Sequence, residues 1–370
     1  MHLLIPYAST GDPDCQALLP SLKLDNLRRL LALFPLLYVD DGSETSFSPP
    51  HERAHARALT GIDKPPRPDD GRFPWATWHM LQQAQHEDRT GAWAFITLCH
   101  WDVASNHISM RDPAELNIGE AESRALMAAM QPYFAEDGIT LRYDSPGRWL
   151  ASGEIFRGLL TASLDRVIGQ SVDAWMPEAA QAKPLRRLQN EMQMLLYTHP
   201  VNDQRAASGL PAINTFWISG TGRESALLGA PLHSSLFSSF DHEAQTQYVP
   251  AAPEDHWHDH LPGSPELPPT LEALTVHIPQ GLREAARRHD WKAWADQWHE
   301  IDRTYCAQLL RAARETETPT STRPLPQLTL CGERHAITYQ AVPYTPWGRF
   351  AKLIRARLRR HPLHILLEQL

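Results

Sequence analysis

The most suggestive grouping of chemically able side chains lies at the end of a short apolar run. Ile213, Phe216, Trp217 and Ile218 lead into Ser219, Gly220, Thr221, Gly222 and Arg223. A Gly-x-Gly turn after a buried strand presents backbone N–H groups that can face an anion. Ligands of α/β proteins also sit beyond the carboxyl ends of strands. Arg205, Asn214 and Arg223 would add side-chain donors, so the ligand-binding candidates are Arg205, Asn214, Ser219, Gly220, Thr221, Gly222 and Arg223. The same residues read equally as a strand-ending turn whose polar groups are satisfied locally. Glu191 and His199, two turns apart on the preceding helix, are the acid–base candidates; a helix flank and a helix-terminal histidine account for them as well.

Three further groupings carry weaker signals. In His256-x-His258-x-His260, flanked by Asp255 and Asp259, alternate residues of an extended segment would turn three imidazoles to one face, a zinc or copper pattern. Nothing nearby in the sequence would orient those rings, and solvated, opportunistic metal binding competes with a working site. No other metal ligand set is visible. His100, Trp101, Asp102 and His107 place a histidine and a carboxylate on one hairpin, where they suit proton transfer or a strand-end hydrogen bond. Trp291, Trp294 and Trp298 recur at helical spacing, which reads as a packing stripe before a base-stacking platform.

The elements that must position these groups follow from periodicity and punctuation. His2 to Ile5 reads as a first strand stopped by Pro6. Asp25 is placed to cap a helix over Asn26 to Phe34. Helices are expected over His51–Leu59, Trp75–Gln85, Ile118–Ala135 and Ser163–Trp175. Hairpins are expected from Trp93–Val103 to His107–Met110 and from Ile139–Tyr143 to Arg148–Leu150. A helix with an apolar stripe at Leu188, Met192, Leu195 and Leu196 ends before Pro200, since the residue before a proline is pushed out of the α region. Asn202 then reads as an N-cap for the short turn carrying Arg205. A strand over Leu274–Ile278, helices over Gln280–His289 and Asp290–Arg314, and a closing hairpin from Gln327–Cys331 to Ala336–Val342 complete the chain. The fold class is α/β with mixed α+β character: a mixed sheet with hairpins, flanked by helices. The divisions are a main body over 1–223, a Pro- and His-rich insertion over 224–270, a C-terminal part of the same body over 271–346, and a basic amphipathic helix over 347–370.

Composition narrows the function classes. The chain has 370 residues, of which 42% are hydrophobic and 21% charged, a globular balance. A formal net charge of −8 argues against sequence-independent nucleic-acid binding, and no nucleic-acid motif is visible. The four cysteines, Cys15, Cys99, Cys306 and Cys331, form no C-x-x-C pair. No signal peptide and no transmembrane run is recognisable, and the expected location is cytoplasmic. The exception to the acidic balance is the tail, where Arg349, Lys352, Arg355, Arg357, Arg359 and Arg360 accompany an apolar side; it would dock on the acidic body, or contact a membrane, nucleic acid or a protein partner.

Several stretches together resemble the RpfE-type regulatory proteins of proteobacteria: HPVNDQR at 199–205, GLPAINTFWISGTG at 209–222, MHLLIP at the start, TASLDRVIGQSVDAWMP at 161–177, RLQNEMQMLL at 187–196 and LTLCGE at 328–333. The spacing of Asn214, Trp217, Gly220 and Gly222 is also similar to a segment of cofactor-independent phosphoglycerate mutases, which implies a degenerate mutase-like core. That resemblance would bring a metal-binding aspartate directly after the first strand and a serine or threonine nucleophile beyond it. Here the strand runs into Pro6-Tyr7-Ala8-Ser9-Thr10, with no aspartate before Asp12. The expectation is a non-catalytic regulatory protein binding a small phosphorylated or anionic ligand and requiring no cofactor. The alternative is a mutase-like or phosphatase-like enzyme on a phosphorylated small molecule, for which a divalent metal would be needed.

Overall fold

Among the described residues, two larger β-sheets, each backed by helices, and a small two-stranded one form the architecture in the computed structural model. It describes residues 1–60, 70–83, 91–105, 107–177, 182–222, 276–315, 324–342 and 363–370. The first sheet has five strands: β1 (His2–Ile5), β2 (Leu36–Asp41), β9 (Val276–His277), β10 (Gln327–Cys331) and β11 (His335–Gln340), in the order β2-β11-β10-β1-β9. β1 runs parallel to both β9 and β10, while β11 is antiparallel to β10 and β2. The second sheet has four, β6 (Thr140–Ser145), β7 (Arg148–Ser152), β3 (Trp93–Cys99) and β8 (Thr215–Ser219) in that order, all antiparallel. The fold is therefore mixed α/β.

β1 is buried on both faces, and its side chains alternate between two cores as the pleat requires. Leu3 and Ile5 join Leu27, Leu30, Trp294, Trp298 and Leu309 on one face, while Leu4 joins Ala56, Leu59 and Trp78 on the other. The first face carries α2 (Asp25–Leu33), α10 (Trp291–Ile301) and α11 (Ala307–Glu315); the second carries α3 (Pro50–Thr60) and α4 (Trp75–Gln83). The tryptophan stripe is thus core. On the second sheet, Ala94, Ile96 and Leu98 pack under α5 (Glu120–Glu136) and α7 (Lys183–Tyr197). The opposite face, with Phe95 and Leu150, meets Ala76 and Met80 of α4. α4 is therefore the element shared between the two sheets.

Local signals were overridden where tertiary partners did the same job. Asp25 does not cap its helix. It occupies the first turn, and the Asp302 carboxylate accepts from Asn26 N (3.2 Å) and Leu27 N (2.7 Å) instead. Asp302 opens a π-helical turn, Asp302–Cys306, that interrupts the expected long helix. The cap of α8 (Pro200–Ala207) is His199, not Asn202. Asn202 is buried inside that helix, donating to Leu196 O and Ile213 O and accepting from Ile213 N. The expected helix over Ser163–Trp175 is only α6 (Leu164–Val167), ended at Gly169 with φ 72°, then bridges at Ile168 and Ser171 and a 3-10 turn, Val172–Trp175.

The first expected hairpin is also redrawn. Trp93–Cys99 pairs with β7 and β8, and only β4 (Trp101–Val103) pairs with β5 (Ile108–Met110). The second hairpin, β6 to β7, and the closing hairpin, β10 to β11, form as expected. Segment 224–270 lies outside the described residues, as does the basic part of the tail. Of that tail only 363–370 is described, with a helix over Leu363–Glu368.

Candidate functional site

The carboxyl ends of the parallel strands β1 and β10 open into a cleft of about 510 Å³, lined in part by Tyr7, Thr10, His51, Arg166, Arg287 and Glu333. Its floor is a charged cluster held by four different elements. Asp165, at the start of α6, is completely buried and receives Arg283 bidentately, Nε at 2.6 Å and Nη2 at 2.7 Å. His51 Nε2, from the first turn of α3, lies 3.1 Å from the same carboxylate. Arg283 and Arg287 come from α9 (Gly281–Arg287), whose other face buries Leu282, Ala285 and Ala286. Arg287 pairs with Asp112 and stands 3.8 Å from Asp165.

Burial alone would push the Asp165 carboxyl up; the Arg283 guanidinium and the His51 contact more than offset it and hold it well below the ordinary range. His51 is itself pushed down by burial, against the pull of Asp165. Beside it, Glu52 accepts a hydrogen bond from Ser163 Oγ, and burial raises its carboxyl to about 7 despite that bond. Tyr7, the residue after the strand's proline, has φ 51°, a left-handed conformation that side-chain-bearing residues rarely adopt. Its carbonyl accepts from Trp294 Nε1 at 2.9 Å, and burial together with Asp165 raises its phenol above the ordinary value.

Not every cation in this cluster is saturated. Arg166 donates from Nη1 to Glu333 O at 3.1 Å, while its Nε and Nη2, and Nε of Arg287, are buried without an acceptor among the described residues. Arg287 is only 10% exposed. A buried N–H left without an acceptor costs about 1–3 kcal/mol, and these donors are of the kind an anion's oxygens would satisfy. Ser9 is buried deeper, its Oγ accepting from Gln16 Nε2 at 3.2 Å.

The residues singled out from the sequence are placed elsewhere, and apart from one another. Arg205 is fully buried on the α5 side of the second sheet, where its Nε donates to Pro211 O, its Nη2 to Leu116 O and its Nη1 to Glu122. Asn214 uses its side-chain amide as a strand mimic, accepting from Trp101 N at 2.8 Å and donating to Trp101 O at 2.9 Å. Thr221 Oγ1 donates to Leu159 O and meets Thr161 Oγ1. Gly220 O accepts from Ala76 N, and a Cβ on Gly222 would collide with Arg72 O. These contacts correct the expectation of one pocket lined by Arg205, Asn214 and the glycine turn. Ser219 and Gly220 line a cavity, a smaller one described below.

His199 Nδ1 accepts from Val201 N, and Glu191 sits on the surface of α7, 3.6 Å from Arg187. The two do not converge on either cavity. His100 Nε2 does lie 3.2 Å from Asp102, which also receives Arg111. Arg223, His256, His258 and His260 lie outside the described residues.

Sequence reasoning missed His51, Asp165, Arg166, Arg283 and Arg287. A signal existed: Arg283 and Arg287 are four apart on a helix whose apolar residues are Leu282, Ala285 and Ala286, so both turn to one face away from that stripe.

The residues at the strand end do not fit a two-metal group. Asp165 has both oxygens engaged by Arg283, and among the described residues no three His, Cys, Asp or Glu side chains converge.

No family model matches the chain, and no curated protein matches it. Among solved structures it is similar to the PH0037 protein of Pyrococcus horikoshii, at 11% identity and a TM-score of 0.41 over 92% of this chain and 87% of that one. It is also similar to the cofactor-independent phosphoglycerate mutase of Thermoplasma acidophilum, at 13% identity and a TM-score of 0.34 over 96% and 98%. Among the described residues no helix is long and apolar enough to cross a membrane.

Proposed function

We propose that this chain is a non-catalytic regulatory protein, RpfE-type by the resemblance of its motifs and cytoplasmic, that responds to a small phosphorylated or otherwise anionic ligand. The ligand would sit at the carboxyl end of β1, against Arg166 and Arg287. One observation carries the reading: guanidinium N–H groups of both residues are buried at the cleft without an acceptor among the described residues. A phosphate or carboxylate offers planar guanidinium donors the acceptors they lack. The regulatory part rests on the motif resemblance and on the engagement of the Asp165 carboxylate by Arg283.

Calorimetric titration with inorganic phosphate and 3-phosphoglycerate tests the binding. Replacing Arg166 by Met should weaken it by about 1.5–3 kcal/mol, roughly ten- to 150-fold in Kd, the loss expected for a hydrogen bond to a charged group. The melting midpoint should move little, because Arg166 is partly exposed and pairs with no carboxylate among the described residues. Manganese should be unnecessary. Robust manganese-dependent turnover of phosphoglycerate, abolished by Ser9→Ala, would replace this reading with phosphoryl transfer.

A further inference from the structure

A second cavity, of about 120 Å³, lies on the other side of the Asp165–Arg283 clasp, between the inner face of the second sheet and helices α3 and α4. Arg283 and Leu164 line it, whereas Asp165 and Arg166, their chain neighbours in the cluster, line the larger cleft. Its apolar walls are aromatic. Phe73 and Trp75 meet at 4.1 Å between ring centroids, and His55 stacks on Trp75 at 5.0 Å. Phe95, from β3, has the Arg148 guanidinium 4.6 Å over its ring and His79 against it edge-on at 5.5 Å.

The backbone is shaped to keep this space. Gly220 has φ 70°, and a Cβ there would stand 2.8 Å from Phe95 Cδ2 and 3.1 Å from Ala76 N. A side chain at this position would drive the ring out of place. The rest of the lining is largely polar and includes His79, Arg148, Ser219 and Arg283. Thr97, two residues along β3 from Phe95 and so on the same face, is only 5% exposed, and its hydroxyl has no partner among the described residues. Glu52 and Ser163, bonded to each other, add a carboxyl and a hydroxyl.

The geometry points to a ligand site for a single flat aromatic ring carrying a hydrogen-bonding group on its edge, with the ring against Phe95 and Trp75 and the edge on Thr97. In volume alone the space is comparable to a cavity of ~150 Å³ that accepts benzene in another protein. Offset or edge-on ring contacts favour a planar guest over a puckered one of equal size. The unpartnered hydroxyl supplies the selectivity: a ring with no polar edge would displace water from it and leave it buried and unsatisfied. The site is separate from the anion cleft and takes a different chemical class.

Phenol and cyclohexanol, titrated against the full chain by calorimetry and by saturation-transfer NMR, form the test. Phenol should bind with one-to-one stoichiometry and at least tenfold more tightly than cyclohexanol. Thr97→Val, which removes the hydroxyl and keeps the shape, should weaken phenol at least fivefold with the melting midpoint nearly unchanged. Thr97→Met should fill the cavity and abolish phenol binding while phosphate binding persists; if that variant does not fold, Thr97→Val decides alone. No phenol binding, equal affinity for the two alcohols, or an affinity that Thr97→Val leaves unchanged would overturn the proposal.

Discussion

Arg205 and Arg287 are both buried arginines, and they lead to opposite conclusions. Arg205 lies behind the second sheet with all three guanidinium nitrogens engaged, two on backbone carbonyls and one on Glu122. Arg287 lies at the edge of the first sheet, one nitrogen on Asp112 and another short of Asp165, with its Nε left over. Residue type, burial and charge are shared; what differs is whether every donor already has an acceptor. A saturated arginine holds loops and helices together. An arginine with a buried, unanswered donor beside a cleft is the one on which the proposed anion site is built.

The largest effect should come from breaking the clasp beneath the cleft. Asp165→Ala leaves Arg283 buried without its carboxylate and should destabilise the fold by about 3–5 kcal/mol, read from urea unfolding. A change below 1 kcal/mol would mean the cluster is looser and wetter than its geometry implies. Arg205→Ala should come next, at about 3 kcal/mol. It strands the Glu122 carboxylate, but that side chain is 26% exposed and can turn to water. Phosphate affinity should be the same before and after, at a temperature where both proteins are folded. If Arg205→Ala weakens phosphate while Arg166→Met does not, the two regions have been assigned the wrong way round.

The smallest effects are in pH dependence, and they have opposite signs in different parts of the molecule. Glu52 has its folded value raised from 4.5 to about 7 by burial. Between those values the folded state holds more protons than the unfolded one, so stability falls as pH rises through that window and stays lowered above it. Glu52→Gln should therefore gain about 1–2 kcal/mol at pH 8, discounted for water admitted by the cavity it lines, and nothing at pH 4. His2 and His55 behave the other way. Burial lowers each from 6.5 to about 3, so the unfolded chain takes up their protons first and stability is lost as pH falls from about 6.5 toward 3. Unfolding of the wild type and Glu52→Gln across pH 4 to 8 separates the two contributions. A difference between them that does not change with pH would show that Glu52 titrates normally.

What the sequence determined by itself is the set of elements whose partners are local or whose burial is complete. The alternation of Leu3, Leu4 and Ile5, the tryptophan spacing on α10 and the β6–β7 turn were legible because a strand period of two and a helix period near four act within a few residues. Asn214, Trp217 and Gly220 were likewise recognisable as residues under constraint. Sequence could not say which constraint: a side-chain amide paired with Trp101 looks the same in one dimension as an amide waiting for a ligand. The tertiary structure decided that, and it decided the clasp too. Asp165, His51 and Arg283 are separated by more than a hundred positions, and Asp302 caps a helix 276 positions away. Hydrogen bonds and ion pairs act over about 3 Å of space whatever the length of chain between the partners. Which donors are left without an acceptor is known only when every element is in place.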